Sequence, residues 1–319
     1  MNRVRIGFLL PDRPHSSSYM PLVMQVLIDA GVVVDVIHPT DRVIDLSTVR
    51  VEHDLYVLRE MSGVAFSLAG TLHALGAAIV NPYPVSAALC DKIVTARILQ
   101  AAGVPTAATY VASHVDSLLP LLEGGPIVVK PYRGGDGEGV RVVRTAAELA
   151  EVPRGREPMF AQRYHRPRGR DRTIYSIGGR LFGVKKVFPR QTEEGKEGEL
   201  FDLTPELREI AVRCGETFGI DLYGVDIIES EGKPYVVDMF SIPGFKGVPT
   251  APLLLAQYFR AAAEQASRGH TDMWRRASAG PLDADTWRPA STGPPASVGA
   301  GPGVLAASNA RAAQPIAHD

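Results

Sequence analysis

Residues 223–245 read "YGVDIIESEGKPYVVDMFSIPGF", two short strands joined by a turn. Each strand carries one acid, Asp226 and Asp238. Two carboxylates on paired strands suit Mg²⁺, a hard cation that takes few protein ligands and completes its octahedron with phosphate oxygens and water. An exposed hairpin acid is the ordinary alternative. Phe240 stands two residues past Asp238. Strand alternation turns it to the same face, where a benzyl group offers no oxygen. The stretch is either a metal site short of a ligand or a plain hairpin.

Upstream, "IVVKPYRGGDGEGV" (127–140) ends a strand in Lys130 and follows it with Gly134, Gly135, Gly137 and Gly139. A glycine-rich turn lets backbone N–H groups approach a phosphate while a lysine supplies a point charge, although most such turns only connect strands. "FAQRYHRPRGRDRTIYS" (160–176) crowds five arginines, from Arg163 to Arg172, into one connection. Most of them read as solvated charge, and the sharper reading is an anion-attracting rim. Asp171 opens the strand that follows. Lys185 and Lys186 lie one strand further on. They point to opposite faces, so only one of them can face a shared cleft.

Outside these segments the pattern sets the architecture. "VRIGFLL", "VVVDVIH", "DLYVLRE" and "AIVN" alternate with helical stretches. That alternation predicts an open, parallel α/β domain over residues 1–85. A second unit is expected over 86–268. It opens with one helix, "YPVSAALCDKIVTARILQAAGVP", capped by Ser86 and stopped by Gly103 and Pro105. Short strands with hairpin spacing follow, then a helix from Thr204 with Leu207, Ile210, Ala211, Cys214 and Phe218 on one face. The acid-bearing hairpin and a last helix near 250–266 complete the unit. Residues 269–319 are rich in Ala, Pro, Gly and Ser without periodicity, the composition of a disordered tail.

Whole-chain properties narrow the class. Charged residues are 22% of the chain and the net charge is -1. That balance is not the composition of a nucleic-acid binder. Two cysteines fit a reducing cytoplasm. No apolar run approaches the length, roughly 18 residues, that a membrane span needs.

The joint order is more specific than any one element. A helix lysine (Lys92), a strand lysine with a glycine loop, a Gln-Arg-Tyr hinge, and two strand acids closing in "PGF" resemble the ATP-grasp superfamily over roughly residues 86–266. "CDKIVTARILQAAGVP", "YGVDIIES" and "VVDMFSIPGFKGV" look most like the glutamate ligases that modify ribosomal protein tails, and the last of these is also similar to the inositol-trisphosphate kinase branch. The resemblance implies an ATP-grasp fold with an N-terminal companion domain. It implies ATP, with Mg²⁺ or alternatively Mn²⁺, and small-molecule or peptide carboxylate and amine substrates; a homo-oligomer is left open. Lys92, Lys130 and the Gly134–Gly139 loop would contact phosphates. The backbone of Gln162, Arg163 and Tyr164 would hold adenine, Asp171 the ribose, and Asp226 and Asp238 the metal. Arg172 and Lys186 become the catalytic candidates. Two positions depart from the family pattern: Phe240 stands where an Asn is expected and Thr173 where a basic residue is, while Arg172 would face the other side of its strand. The implied reaction is carboxylate–amine ligation through an acyl phosphate. A small-polyol-phosphate kinase and a catalytically impaired ATP binder are the alternatives.

Overall fold

The strand β1 (Arg5–Leu9) is apolar at nearly every position. A strand tolerates this when both its faces are covered. It lies inside a parallel sheet of order β2-β1-β3-β4, with β2 (Val33–Ile37), β3 (Leu55–Leu58) and β4 (Ile79–Val80). Helix α1 (Met20–Asp29) covers one face through Met20, Val23 and Leu27. Helix α2 (Gly63–Ala74) covers the other, where Ala69 and Leu72 meet Leu9, Tyr56 and Leu58. The computed structural model describes residues 3–270 except 12–17, 40–42, 62, 135, 136, 138, 169 and 187–197. Gly135 and, from residue 271 on, the expected tail lie outside the described residues.

The single helix expected after residue 86 is two, α3 (Tyr83–Leu89) and α4 (Lys92–Ala101). Asp91 is the reason. Its backbone is extended, and its carboxylate accepts from the N–H groups of Ile93 (3.0 Å) and Val94 (3.2 Å). Those bonds cap a new helix. Ser86 caps nothing: it is buried inside α3 with its hydroxyl 3.2 Å from that of Ser241. Lys92 therefore occupies the first position of a helix rather than the middle of one.

Two antiparallel sheets follow. The smaller has the order β5-β8-β6-β7, from β5 (Thr109–Ala112), β6 (Ile127–Pro131), β7 (Arg141–Val143) and β8 (Met159–Arg163). A 3₁₀ stretch, Val115–Gly124, and a short helix, α5 (Ala146–Ala150), do not stand out as apolar periods in the sequence. They nevertheless cover one face, with Val115, Leu118 and Leu149 over Ile127, Val129 and Ala161. Alternation leaves Lys130, Phe160 and Gln162 on the opposite face.

The larger sheet runs β11 (Glu199–Phe201), β10 (Arg180–Lys186), β9 (Asp171–Ile177), β12 (Leu222–Ser230), β13 (Lys233–Phe240). β13 is an edge strand, where Pro234 forfeits no ladder bond. Helix α6 (Pro205–Phe218) lies against one face, its five expected core residues packed on Ile174, Val225 and Met239. The other face sends Tyr175, Ile177, Val184 and Leu222 into a core shared with β1, α1 and α7 (Ala251–Ser267), where Phe8 and Phe259 meet edge to face at 6.0 Å. Among the described residues no helix is long and apolar enough to cross a membrane.

Candidate functional site

Asp226 and Asp238 are direct cross-strand partners on β12 and β13. The ladder shifts immediately beyond them, between Asp226 and Ile227, and leaves Val237 as the extra residue of a bulge. Each acid is held by a neighbour. Thr173 Oγ1, fully buried, donates to Asp226 Oδ1 at 2.6 Å, and Lys92 Nζ pairs with Asp238 Oδ2 at 3.3 Å. Lys92 also donates to the carbonyl of Gly134 at 2.6 Å, so one ammonium ties the glycine loop to the acid strand.

Lys130 approaches from the smaller sheet. Its Nζ donates to the carbonyl of Val237 at 2.8 Å and sits 5.4 Å from the centre of the Phe160 ring. Burial pushes its pKa down; the charges of Asp238 and Asp226 pull it up, and that of Lys92 pushes it down again. Lys92, Lys130, Asp226 and Asp238 thus form one electrostatic cluster between the two sheets. A narrow cleft beside it is lined by Lys92, Thr95, Phe160, Gln162, Val237 and Asp238. In the loop, Gly134 (φ 107°), Gly137 (φ 76°) and Gly139 (φ 72°) all take positive φ. That region is open to glycine and costly for other residues. A side chain on Gly139 would also press into the ring of Pro131 at 2.9 Å.

Lys186 and Asp171 are strand partners on the acid-bearing face. Lys186 is buried and donates to the Tyr175 hydroxyl, with its ammonium 4.9 Å from the centre of that ring. Lys185 points the other way, over Phe201. Phe240 shares the face of Asp238, and its ring lies across Gly224, its strand partner; a Cβ on Gly224 would fall 2.3 Å from that ring. The ring is packed against the shared core, so the position expected to carry a third ligand is occupied by packed hydrocarbon. No third acid, histidine or cysteine joins the pair among the described residues.

Arg172 faces the side of its strand that the sequence leads one to expect, and that orientation takes it away from the acids and from a catalytic role among them. It lies on the opposite face from the acids, pairs with Glu229 at 2.9 Å and stands over Phe201. Alternation gives the acid face to Thr173 instead. Arg163 is wired into the small sheet: its guanidinium donates to the carbonyls of Leu121 (3.0 Å) and Pro126 (3.3 Å). The N–H groups of Arg163 and Tyr164 are spent on Ala108 and Pro126. Next to the hinge an open cleft of about 430 Å³ runs between Tyr164–Arg168 and the hairpin turn at Ser230 and Glu231.

Sequence reasoning missed Tyr175 and the carbonyl of Val237. A tyrosine on an apolar strand gives no functional signal, and a bulge carbonyl has no side chain to read.

The comparisons with known proteins agree with this geometry. Residues 89–253 match the family described as RimK-like ATP-grasp domain, just over half of the chain. A probable alpha-L-glutamate ligase of Aliivibrio salmonicida is 28% identical over 59% of this chain and 69% of its own length. The crystal structure of a RimK domain ATP-grasp protein from Sphaerobacter thermophilus superposes with a TM-score of 0.66 at 18% identity, covering 82% of this chain and 100% of that one. A D-alanine–D-alanine ligase from Bacillus anthracis gives 0.62 at 19%, with 84% and 99% covered. These matches speak for the ligase branch and lend nothing to the kinase likeness of the closing segment. The chain belongs to the RimK-like ATP-grasp family and is an ATP-dependent ligase that joins carboxylates to amines.

Proposed function

We propose that the cluster between the two antiparallel sheets is the phosphoryl-transfer site of this ligase, and that its substrates are a small-molecule or peptide carboxylate and an amine. The carrying observation is the convergence of Lys92, Lys130, Asp226 and Asp238 from four separate elements into one electrostatic cluster. Residues 1–85 would supply the substrate side and residues 86–268 the nucleotide side.

In this reading a substrate carboxylate attacks the γ-phosphorus of ATP, ADP leaves, and the amine then displaces phosphate from the acyl phosphate with loss of a proton. Lys92 and Lys130 oppose the charge that builds on the transferred phosphoryl group. Both lysines are held by backbone carbonyls, so they are aimed before the nucleotide arrives. Asp226 and Asp238 would hold Mg²⁺, which lowers the charge repulsion among phosphate oxygens when bound. The donor set fits a single ion: two carboxylates opposed in register, one oriented by a hydroxyl, beside a cleft where phosphate oxygens complete the shell. Asp171 and Lys186 lie further along the same face, where the ribose and the phosphates would pass. Gly134, Gly137 and Gly139 let the loop close over phosphate.

ATP with Mg²⁺ binds only the native state in this scheme, so a hundredfold excess over the dissociation constant stabilises the fold by about 2.7 kcal/mol. Thermal melts with and without Mg–ATP test it. An unchanged midpoint at millimolar nucleotide would overturn the site assignment, and ADP release that ignores added amines would overturn the ligation step.

A further inference from the structure

We infer that Arg59, at the carboxyl end of β3, anchors a carboxylate of the ligation substrate where Arg59–Met61, the α3–α4 elbow at Cys90 and Ser241–Ile242 come together. This rests on the ligase reading above and adds to it the residue that recognises the acid.

The first observation is topological. In the order β2-β1-β3-β4 the chain leaves β1 to one side and returns on the other, so the sheet's switch point lies between β1 and β3. Parallel sheets bind ligands outside the carboxyl ends of the strands at that point. Arg59 is the residue directly after β3, and its backbone N–H donates to the carbonyl of Leu9, the last residue of β1, at 3.0 Å.

The second is chemical. The Arg59 side chain is half-buried, and among the described residues it donates to one backbone acceptor, the carbonyl of Ile242. That uses one of the five N–H groups of a guanidinium. Burial pulls its pKa down to about 10, and the acid acting in the other direction is its chain neighbour Glu60. A strut between β3 and the loop after β13 needs one donor. A planar cation with donors that no other described residue takes, partly withdrawn from water, is what a carboxylate pairs with in two parallel bonds.

The third is position. Ile242 lies four residues past Asp238, so Arg59 grips the segment that leaves the acid pair. On the other flank, Cys90 Sγ lies 3.8 Å from the carbonyl of Met61, and the Cys90 thiol feels the charges of Arg133, Lys92, Asp91 and Glu60 together. The Arg59 segment is therefore next to the lysine that pairs with Asp238. A carboxylate held there stands beside the phosphates.

The test is a binding measurement on the full chain saturated with Mg and a non-hydrolysable ATP analogue. Free amino acids and short dicarboxylates are titrated, each beside its carboxamide. At least one carboxylate should bind the wild type and lose about tenfold to a hundredfold in affinity in Arg59→Gln, which keeps a polar side chain without the charge, while its carboxamide binds both proteins equally weakly. Arg59→Lys should recover part of the loss and serves if the glutamine variant folds poorly. The ATP analogue should bind all three alike. Wild-type binding that is unchanged by both substitutions, or no carboxylate binding at all, overturns the assignment. Failure of the ATP analogue to bind overturns the ligase site instead.

Discussion

Lys130 on the small sheet and Asp226 on the large one belong to the same electrostatic cluster, yet their surroundings differ. The small sheet buries one face under the 3₁₀ stretch and α5 and leaves the other to the cleft, so its functional groups sit where packing does not need them. The large sheet is covered on both faces, by α6 on one side and by the core shared with β1 and α7 on the other. Asp226 therefore sits within packed structure and takes its orientation from Thr173. Function and stability are separable on the first sheet and entangled on the second.

The sharpest test of that contrast is Gly224→Ala. A methyl group there would fall 2.3 Å from the Phe240 ring, which is wedged against the core and cannot swing away as a long flexible side chain would. Overpacking of this kind costs about 3 kcal/mol, or about 6–12 °C in melting temperature for a chain of this size. A melt within about 2 °C of wild type, less than 1 kcal/mol is expected to move it, would show that the acid-bearing face is softer than its packing implies. The comparison would then fail.

Lys130→Met asks the converse question of the small sheet. The substitution keeps the aliphatic stem against Phe160 and removes the charge, which burial already disfavours. Stability should change by less than about 1 kcal/mol. Affinity for ATP should fall by roughly 1.5–3 kcal/mol, the worth of a charge-assisted contact. Arg168→Ala is the control: its side chain is exposed and its backbone N–H to Glu229 is unaffected. Its loss should stay below about 1 kcal/mol. Equal losses in titrations of the two variants would move the phosphates to the arginine-rich connection.

The same contrast explains what can be read in the chain beforehand. The parallel sheet, the hairpin and helix α6 announce themselves through period and caps, since Leu207, Ile210, Ala211, Cys214 and Phe218 face one way and all five are buried. Lys92, Lys130 and the glycines are picked out by their joint order along the chain, not by any one of them alone. Arg172 fails as a catalytic candidate because phase outweighs residue type: a one-residue step along a strand exchanges the faces. On β9 that step gives the acid side to Thr173. The break at Asp91 is hidden because the apolar spacing continues on both sides of it, and only the cap shows that the chain turns. Arg59 leaves no trace at all, since its meaning comes from a sheet order and from a loop 183 positions away.

The smallest expected effect concerns Phe240, where the two sheets' logics meet. Its ring stands where the family resemblance leads one to expect an oxygen ligand, and it packs across Gly224, so Phe240→Asn should do two opposed things. The fold loses part of a half-buried benzyl group, about 1–2 kcal/mol, less than the full cavity cost of a buried aromatic. The metal gains an amide oxygen beside Asp238, worth about tenfold in the Mg²⁺ concentration needed for half-maximal rate. On the proposed reading two carboxylates would hold one ion with the phosphates, so the wild-type rate should still climb with Mg²⁺ after ATP is saturated, whereas the variant should level off earlier. Rates against free Mg²⁺ for both proteins, with melting curves alongside, separate the two effects. A lower melting point with an unchanged Mg²⁺ dependence would mean that position 240 serves the core alone and that the metal never approaches it. An unchanged melting point with a lower Mg²⁺ requirement would mean that the ring is idle in the core, and the entanglement argued for the large sheet would stop at Gly224.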